Sequence, residues 1–335
     1  MVVAAYNEAE VISEKLSNTW AIDYPSDRFS LIVGSDGSED NTAFLLENCK
    51  DKRLFSFSFK ERRGKISVLN DLVSKIGTDV NADIIIMSDA NTMFDSNAVK
   101  NLVRHFKDPK VGCVSGELVL AQEGGVSGEG LYWKYECWIK QNESKLGFLI
   151  GCNGGIFAMR RETYEPLPPS IIVEDFVMTM RVLERGWRVQ FEPEARGYEP
   201  PCPTSKAEMI RKIRIGAGNF QALALTAQVL SPRFGIRSFA YWGHKVIRWL
   251  VPFFFLLALI SNITLLDSRV YLSIFIIQLF GLLISLISYK NTSKKPLPRW
   301  TKPVSYFYIM NYALLCGFFR FLFGTQRVTW DRASR

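Results

Sequence analysis

Four acidic side chains stand in short motifs of the kind that bind polar ligands. Asp36 lies in the motif SDGS (35–38), Asp89 lies in SDAN (88–91), and Glu174 and Asp175 lie in VED (173–175). Taken singly, each motif has an ordinary structural use, because Asp-Gly forms turns and acidic residues stabilise helix N-termini. Taken together with Lys65 and the glycine before it, the motifs favour a site for an anionic ligand bound with a metal ion.

The elements around these motifs predict how they meet. Short apolar runs predict β-strands, and stretches with helical periodicity separate them. This alternation indicates an α/β sheet with parallel strands, and such sheets bind ligands at the carboxyl ends of the strands. Tyr6, Asn7, Asp36 and Asp89 all lie at the ends of predicted strands. The predicted strands are residues 2–6, 29–34, 54–59, 83–88, 111–115 and 187–191.

The composition excludes several classes of protein. The chain has 335 residues, of which 48% are hydrophobic and 22% are charged. These values are typical of a folded chain of about two domains and exclude a disordered or fibrous protein. Its six cysteines form no Cys-x-x-Cys pair, and the only histidines are His105 and His244. We therefore expect neither a structural zinc site nor a disulfide framework, and we assign no role to the histidines.

The C-terminal third of the chain differs from residues 1–230, which have the mixed charge of a soluble domain. Residues 250–266 and 270–289 contain no charged side chain, and the second run has 20 residues. A helix of that length spans about 30 Å, the thickness of the hydrocarbon core of a membrane. Only three residues, 267–269, separate the runs. We therefore predict a transmembrane hairpin over residues 250–289.

Basic side chains surround this hairpin. The net charge is +8, and residues 232–266 combine four basic side chains with several aromatic ones and no acidic one. This pattern favours membrane lipids over nucleic acid as a partner. No signal peptide precedes the first strand, so we expect a cytoplasmic N-terminal domain. The predicted segments are a cytoplasmic domain (1–230), an interfacial helix (231–249), the hairpin (250–289), a basic cytoplasmic loop (290–303), an interfacial or third membrane helix (304–324), for which we favour the interfacial position, and a C-terminal Trp/Arg segment (325–335).

A set of motifs occurs here in the order seen in family 2 glycosyltransferases of the GT-A fold. The set resembles the branch that contains cellulose, hyaluronan and poly-N-acetylglucosamine synthases, in which interfacial and membrane helices also follow the catalytic domain. The resemblance implies an α/β fold of the GT-A (nucleotide-diphospho-sugar transferase) type with a Rossmann-like mixed sheet. The motifs are AAYNE (4–8), SDGSEDNT (35–42), RRGKISVLN (62–70), SDAN (88–91), GCNGG (151–155), VED (173–175) and GWRVQFEPEA (186–195).

The resemblance also implies a role for each matching residue. Asp175 matches the general base that deprotonates the acceptor hydroxyl in a reaction that inverts the anomeric carbon. Asp89 and Asn91 match the D-x-D motif, which binds the diphosphate through Mg²⁺ or Mn²⁺. The remaining implied site residues are Tyr6, Asn7 and Asp36 for the nucleoside, Lys65 and Arg214 for the nucleotide and its diphosphate, Glu174 and Gly154 on the acceptor side or in support, and Trp330 and Arg335 in a C-terminal loop that covers the nucleotide.

Three features depart from the family pattern. Asn91 replaces the second Asp of D-x-D with an uncharged carbonyl ligand. We expect either a lower affinity for metal or a larger share of the binding by Asp89. The Q-x-x-R-W motif of the family aligns with residues 211–215, where Arg214 remains but Gln and Trp are absent. An acceptor-stacking surface is thereby lost, which puts processive polymerisation in question. Family members enter the first strand from upstream membrane helices, so we expect either a start further upstream or anchoring by the C-terminal hairpin alone.

The main hypothesis is a membrane-bound inverting glycosyltransferase. It would move a hexose or N-acetylhexosamine from a UDP-sugar to a saccharide or glycolipid acceptor. We expect a multi-pass protein of the inner (cytoplasmic) membrane. It would work with or without export-complex subunits. Two alternatives stay open: a single-addition lipid-carrier glycosyltransferase, and a non-catalytic sugar-nucleotide-binding subunit of a polysaccharide export complex. A dinucleotide-binding oxidoreductase is disfavoured, because no G-x-G-x-x-G follows the first strand.

Overall fold

The computed structural model of the chain describes residues 1–120, 128–201, 204–290, 298 and 300–327. Within them the strands, numbered along the chain, are β1 (Val2–Ala5), β2 (Leu31–Asp36), β3 (Leu54–Phe59), β4 (Ile84–Ser88), β5 (Met93–Phe94), β6 (Val111–Leu120), β7 (Ile156–Arg160) and β8 (Arg188–Glu199). The α-helices are α1 (Ala9–Trp20), α2 (Thr42–Glu47), α3 (Lys65–Ser74), α4 (Ala98–Val103), α5 (Gly128–Lys145), α6 (Glu174–Glu184), α7 (Ser205–Leu225), α8 (Ile236–Tyr241), α9 (Ile247–Ile263), α10 (Arg269–Lys290) and α11 (Thr301–Leu322).

The strands form one mixed sheet in the order β3-β2-β1-β4-β7-β6-β8-β5. The first four strands in this order run parallel. β7 is antiparallel to both of its neighbours, and β6 and β8 are parallel to each other. The predicted α/β class and the mixed sheet are therefore confirmed.

Some strands differ from the sequence prediction. β6 continues past Ser115 through a register shift at Gly116, and β8 continues past Phe191 through Pro193. Glycine and proline interrupt the pattern of a strand, so both predictions ended too early. β7 was missed because it is a short central strand, buried along nearly its whole length, and such a strand shows no polar alternation.

Side chains at alternate strand positions pack on the two faces of the sheet. Val2 and Ile32 belong to a core that includes residues of α3 and α6. Val3 and Val33 belong to a second core that includes residues of α1 and α4. Because both faces are covered, the loops at the carboxyl ends of β1, β2 and β4 begin from fixed positions.

Two helices of the described chain are long and apolar enough to cross a membrane. α8 runs through a π-helical turn, Trp242–Val246, into α9, so that Ile236–Ile263 forms one helix. The second is Arg269–Tyr289, within α10. Residue 250, where the predicted interfacial segment gives way to the hairpin, lies inside α9, so the helix is continuous there. The position of that boundary relative to a membrane stays a prediction. Residues 291–297 and 299 of the predicted basic loop (290–303), and residues 328–335, lie outside the described residues.

α11 connects the hairpin to the helix that carries Arg214. A Cβ atom at Gly317 would lie 2.6 Å from the backbone nitrogen of Ala217 in α7, so the two helices are in close backbone contact. On the side of the hairpin, the Tyr308 hydroxyl donates to the carbonyl of Gln278 in α10 at 2.8 Å. The interfacial position of this helix stays a prediction.

Candidate active site

Loops at the carboxyl ends of three strands meet at one edge of the sheet. Tyr6 and Asn7 follow β1, Asp36 ends β2, and Asp89 follows β4. β1 lies between β2 and β4 and runs parallel to both, so these three strand ends are neighbours. The structure thus brings together the polar residues that the sequence pattern placed at strand ends.

Lys65 links two of the acidic motifs. It is the first residue of α3, and its Nζ lies 2.6 Å from Oδ1 of Asp89 and 2.5 Å from Oε1 of Glu174. Burial disfavours the charged ammonium, but the two carboxylates outweigh burial and raise the pKa of Lys65 well above its usual value. Burial likewise raises the pKa of Asp89, but Lys65, with Lys15 and Arg214, holds it below its usual value. Lys65 is therefore a stable cation next to the D-x-N motif.

Asp36 holds the loop that leads into Lys65. Its two carboxylate oxygens accept hydrogen bonds from the backbone N–H groups of Arg63 and Gly64, each at 2.8 Å. Gly64 has a φ of +91°, which favours glycine because a side chain there would be strained. The nucleoside role that the resemblance implied for Asp36 stays a prediction, since in this structure the carboxylate is bonded to backbone N–H groups.

Tyr6 and Asn7 occupy the neighbouring loop. The guanidinium carbon of Arg62 lies 3.8 Å from the centre of the Tyr6 ring. The side-chain oxygen of Asn7 accepts a hydrogen bond from the backbone N–H of Glu39 at 2.8 Å. The backbone N–H of Asn7 donates to Ser38 Oγ at 3.1 Å. Asn7 therefore ties the loop after β1 to the loop after β2, and the Tyr6–Arg62 pair lies beside them.

Asp175 lies in the first turn of α6, beside Glu174, and faces the GCNGG loop (151–155). A Cβ atom at Gly154 would lie 2.9 Å from Oδ2 of Asp175, so the carboxylate packs directly against this glycine. Burial and the neighbouring Glu174 raise the pKa of Asp175 to about 6, against the opposite influence of Lys65. A carboxylate with this pKa is mostly ionised at pH 7 and binds a proton more readily than an exposed one, which suits a general base.

Arg214 approaches the same cluster from α7. Burial lowers the pKa of its guanidinium, and the carboxylates of Glu174, Asp89 and Asp175 act in the opposite direction. Arg214 is therefore within electrostatic reach of all three carboxylates. The contact with phosphate that the resemblance implied for Arg214 stays a prediction.

Asp89 and Asn91 are the predicted ligands of a divalent cation. They belong to a turn in which the N–H of Thr92 donates to the carbonyl of Asp89 at 3.3 Å, and Asn91 is half-buried. Within the described part of the chain, no group of three His, Cys, Asp or Glu side chains is placed to hold a metal ion. A carboxylate and an amide carbonyl nevertheless suit Mg²⁺ or Mn²⁺, which accept one or two protein oxygens and take other ligands from phosphate and water. The residues present fit such an ion bound together with a diphosphate.

Sequence reasoning missed a buried lysine beneath this turn. Lys15 of α1 donates to Ser88 Oγ at 2.7 Å and to the carbonyl of Thr92, so it joins both ends of the segment that carries Asp89. Burial lowers the pKa of Lys15 to about 7, although Asp89 and Glu199 act in the opposite direction. A signal for it existed, because Lys15 stands among the buried positions of α1 at helical spacing.

Glu199, the last residue of β8, was also missed. It accepts a hydrogen bond from Thr92 Oγ1 at 2.5 Å, and a Cβ atom at Gly155 would lie 2.6 Å from the same carboxylate oxygen, Oε1. Burial, followed by Asp89, raises the pKa of Glu199 above its usual value. No sequence signal pointed to it, because the predicted strand ended before the proline in β8.

The predicted site residues therefore fall into two groups. Trp330 and Arg335 lie outside the described residues. Arg214 lies in the middle of α7, and the others lie on loops, strand ends or helix ends around the strand edge. The residues that form or face the charge cluster are Lys65, Asp89, Glu174, Asp175, Gly154 and Arg214.

Comparison with known proteins identifies the family of the chain. The family described as Glycosyltransferase like family 2 matches residues 1–218, which include every strand of the sheet and every member of the charge cluster. The chain belongs to this family. Its α8 to α11, which include the two candidate membrane helices, lie beyond the matched residues.

Two curated relatives of this glycosyltransferase come from staphylococci. The poly-β-1,6-N-acetyl-D-glucosamine synthase of Staphylococcus aureus is 29% identical over 230 residues, which cover 66% of this chain and 54% of that protein. The synthase of the same name from Staphylococcus epidermidis is 25% identical over 202 residues, or 58% of this chain and 48% of that protein. The chain thus spans about half the length of these relatives.

A solved structure shows the same fold. The mannosyltransferase PcManGT from Pyrobaculum calidifontis, in complex with GDP-Man and Mn²⁺, superposes on this glycosyltransferase with a TM-score of 0.74. The superposition covers 97% of this chain and 87% of that one, at 22% sequence identity. The mixed sheet and the helices after it therefore have the GT-A architecture.

Proposed function

We propose that the protein is a membrane-bound inverting glycosyltransferase that moves a hexose or N-acetylhexosamine from a UDP-sugar to a saccharide or glycolipid acceptor. The observation that carries this proposal is the cluster in which Lys65 joins Asp89 to Glu174, next to Asp175. It combines a cation suited to a leaving diphosphate with a carboxylate suited to accept a proton. Both are needed for glycosyl transfer to a hydroxyl group.

On the donor side, the proposal uses the positive charge of Lys65 and Arg214. Cationic side chains form strong hydrogen bonds to phosphate oxygens and stabilise the charge that develops on a departing diphosphate. Asp89 and Asn91 would hold Mg²⁺ or Mn²⁺, which supplies further charge compensation when bound. The Tyr6 ring beneath Arg62 offers a flat surface for the base. The choice of UDP follows the resemblance to the synthase branch, whereas PcManGT was solved with GDP-Man.

On the acceptor side, Asp175 takes the proton of the attacking hydroxyl. The hydroxyl oxygen then forms its bond to the anomeric carbon while the bond from that carbon to the diphosphate oxygen breaks, and UDP leaves with the electron pair. Attack from the face opposite the leaving group inverts the anomeric configuration. Glu174 stays paired with Lys65 and, as a neighbouring negative charge, keeps Asp175 basic.

The helices after the catalytic domain support a location in the membrane. Ile236–Ile263 and Arg269–Tyr289 are long and apolar enough to cross it, and α10 exposes large apolar side chains such as Ile277 and Phe280. We propose a multi-pass protein of the inner (cytoplasmic) membrane with its catalytic domain in the cytoplasm. Membrane lipids, a saccharide or glycolipid acceptor and export-complex subunits are the partners that this location would offer.

The decisive experiment is a panel of UDP-sugars, with GDP-mannose for comparison, tested for UDP or GDP release by the full chain in lipid nanodiscs. We expect release from one UDP-hexose or UDP-N-acetylhexosamine that depends on Mg²⁺ or Mn²⁺, and transfer to an added saccharide or glycolipid. The size of the product distinguishes chain extension from single addition.

An absence of turnover would reject the catalytic proposal. Calorimetric binding of UDP without turnover under either metal would instead support the non-catalytic subunit, the alternative that Asn91 favours because it removes one charged ligand. Release of GDP alone would overturn the UDP assignment and keep the glycosyltransferase.

A further inference from the structure

A second charge cluster lies away from the donor residues and is centred on His244. The Nδ1 of His244 lies 2.6 Å from Oε1 of Glu143, and its Nε2 lies 3.0 Å from Oε1 of Glu136. Glu136 also accepts from Lys245 at 2.7 Å and from Arg248 at 2.8 Å. Burial raises the pKa of Glu136, but these cationic and hydrogen-bonding partners outweigh it and hold the pKa far below its usual value. The helix predicted to enter the membrane is thus bonded to α5 through buried charges.

The same helix α5 holds the GCNGG loop and the residue before it. Oε2 of Glu143 accepts from the N–H of Ile150 at 3.0 Å, while Oε1 of the same carboxylate faces His244. Lys140, one helical turn before Glu143, donates to Oδ1 of Asn153 at 2.5 Å. A single carboxylate therefore joins the imidazole of the membrane-entering helix to the start of the loop.

The far end of this loop is in contact with the candidate base. Asn153 is fixed on two sides, since its N–H donates to Ser115 Oγ at 3.0 Å and its side-chain nitrogen donates to the carbonyl of Gly116 at 2.6 Å. The next residue is Gly154, against which Oδ2 of Asp175 lies. A shift of the loop would change the space in which this carboxylate meets an acceptor.

The π-helical turn explains how one helix presents so many partners to the catalytic domain. The turn Trp242–Val246 carries His244, and it lies between Tyr241 and Trp249. Both of these rings pack on Phe176, the residue directly after Asp175, with centroid distances of 5.8 Å and 5.6 Å. π-Helical turns redirect side chains and occur often at functional positions. The helix thus contacts both Phe176 and the support of the GCNGG loop.

We propose that His244 is a positioning residue through which the membrane-entering helix holds the GCNGG loop against Asp175. The bridge is the chain of contacts His244–Glu143–Ile150. Its consequence is that the acceptor side of the site loses one of its supports when this helix leaves α5, although Ser115 and Gly116 of the sheet still hold Asn153. The activity part of this inference rests on the proposed function.

The geometry makes His244 hard to replace. Its two ring nitrogens reach two carboxylates that lie about two turns apart on α5, and both carboxylates are buried. The side-chain amide of Gln has one donor nitrogen and cannot reach both. One buried carboxylate then loses a partner, which is costly in a low-dielectric environment. We expect this cost to be relieved by movement of α5 and of the loop that Glu143 holds.

Hydrogen–deuterium exchange on the full chain in lipid nanodiscs tests the proposal without any need for turnover. In His244→Gln, we expect amides in the peptide 149–155 to exchange about tenfold faster or more, the change expected for loss of one charge-assisted hydrogen bond. The matched control is His105→Gln, because His105 also pairs with a buried carboxylate, that of Glu192 at 2.6 Å, outside the cluster. Equal exchange of this peptide in the two variants would overturn the proposal.

Steady-state kinetics supply a second measurement that a general loss of stability would not reproduce. We expect His244→Gln to lower kcat for transfer about tenfold, with KM for the donor and the affinity for UDP within about twofold of wild type. An unchanged kcat, or equal losses on the donor and acceptor sides, would contradict a positioning role. A wild-type chain without turnover would reject the proposed function alone, since the exchange measurement would still decide the inference.

A milder variant keeps the test valid if His244→Gln does not fold. Glu143→Gln retains a carbonyl acceptor for the N–H of Ile150 but removes the charge opposite His244, and we expect a smaller increase of exchange in the same peptide. Unchanged exchange of this peptide in Glu143→Gln would overturn the bridge without any use of His244→Gln. Where His244→Gln folds, Glu143→Gln should raise the exchange rate by a smaller factor in the double variant than it does alone, because both substitutions break one chain of contacts. Full additivity would show that the two residues act separately and would overturn the bridge.

Discussion

The two charge clusters of this protein contain the same kinds of residue but differ in their access to solvent. In the donor-side cluster, the side chains of Lys65, Asp89 and Glu174 are 28%, 34% and 12% exposed. In the membrane-side cluster, those of His244, Glu136 and Glu143 are only 3%, 8% and 7% exposed. The first cluster can exchange an internal partner for a phosphate or a metal ion, whereas the second must satisfy its charges internally.

This difference predicts what each cluster contributes. Partly exposed charges can change partners at small cost, because water and ligands replace what is lost. Enclosed charges have no water or ligand to replace a lost partner, so removal of one partner destabilises the folded protein. Substitutions in the donor-side cluster should therefore affect chemistry more than folding, and substitutions in the membrane-side cluster should do the reverse.

The largest effect is expected for Asp175→Asn. It removes the candidate base while keeping the shape of the side chain, so turnover should fall about a thousandfold, the usual scale of general-base catalysis. UDP affinity and the unfolding midpoint should change little. Release of UDP from the preferred UDP-sugar and calorimetric UDP binding measure the two quantities. The control is Asp23→Asn, an exposed Asp paired with Lys100, and activity of Asp175→Asn equal to this control would remove Asp175 from its role.

For Glu136→Gln we expect the main effect on stability, whereas Asp175→Asn mainly affects turnover. Glu136 pairs with the buried His244 and with the partly buried Lys245 and Arg248, so loss of its charge leaves these three side chains without their shared carboxylate. We expect a loss of about 3 kcal/mol in the free energy of unfolding, as for other broken buried pairs. Glu194→Gln provides the control, because Glu194 is 66% exposed in its pair with Arg104, and its loss should stay within about 0.5 kcal/mol. Denaturant unfolding in the same detergent compares the two, and equal losses would erase the contrast between the clusters.

The smallest effect concerns pH. Because the pKa of Asp175 is raised to about 6, its carboxyl group is mostly protonated below that pH and mostly ionised above it, where it can accept a proton. We expect kcat/KM to fall about tenfold per pH unit below this value and to level off above it. Glu174→Gln removes a like charge beside Asp175 and should move the acid limb to lower pH, whereas Glu136→Gln should leave the limb in place. If the acid limb of the kcat/KM profile keeps its midpoint pH in Glu174→Gln, a group other than Asp175 determines that midpoint.

The sequence predicted the fold well where local pattern and tertiary environment agree. The strands of the first half were placed within a few residues, because buried parallel strands give apolar runs and their loops carry polar residues at the carboxyl ends. It failed at β5, β7 and the second half of β8, where a two-residue strand, a short buried strand and a proline hide the pattern.

The candidate site was predicted through motif order rather than through geometry. Asp89, Glu174 and Asp175 were identified as acidic residues in short polar motifs, whereas Gly154 and Arg214 were identified only because their motifs match a family. The structure pairs Lys65 with Asp89 and Glu174 and places Asp175 against Gly154. Lys15, Glu199 and His244 were missed. Each has an ordinary residue type in an ordinary segment, and its importance comes only from partners more than seventy positions away along the chain.

The amino-acid sequence alone determined the α/β class, the apolar hairpin and the set of acidic motifs, because these follow from periodicity, hydropathy and local residue order. The tertiary structure alone decided which charges meet. It gave Lys65 two carboxylates, placed Asp175 against Gly154, and enclosed His244 between two glutamates. The physical reason is that burial and the nearest opposite charge set the behaviour of an ionisable group, and neither is a property of the residues next to it in the chain.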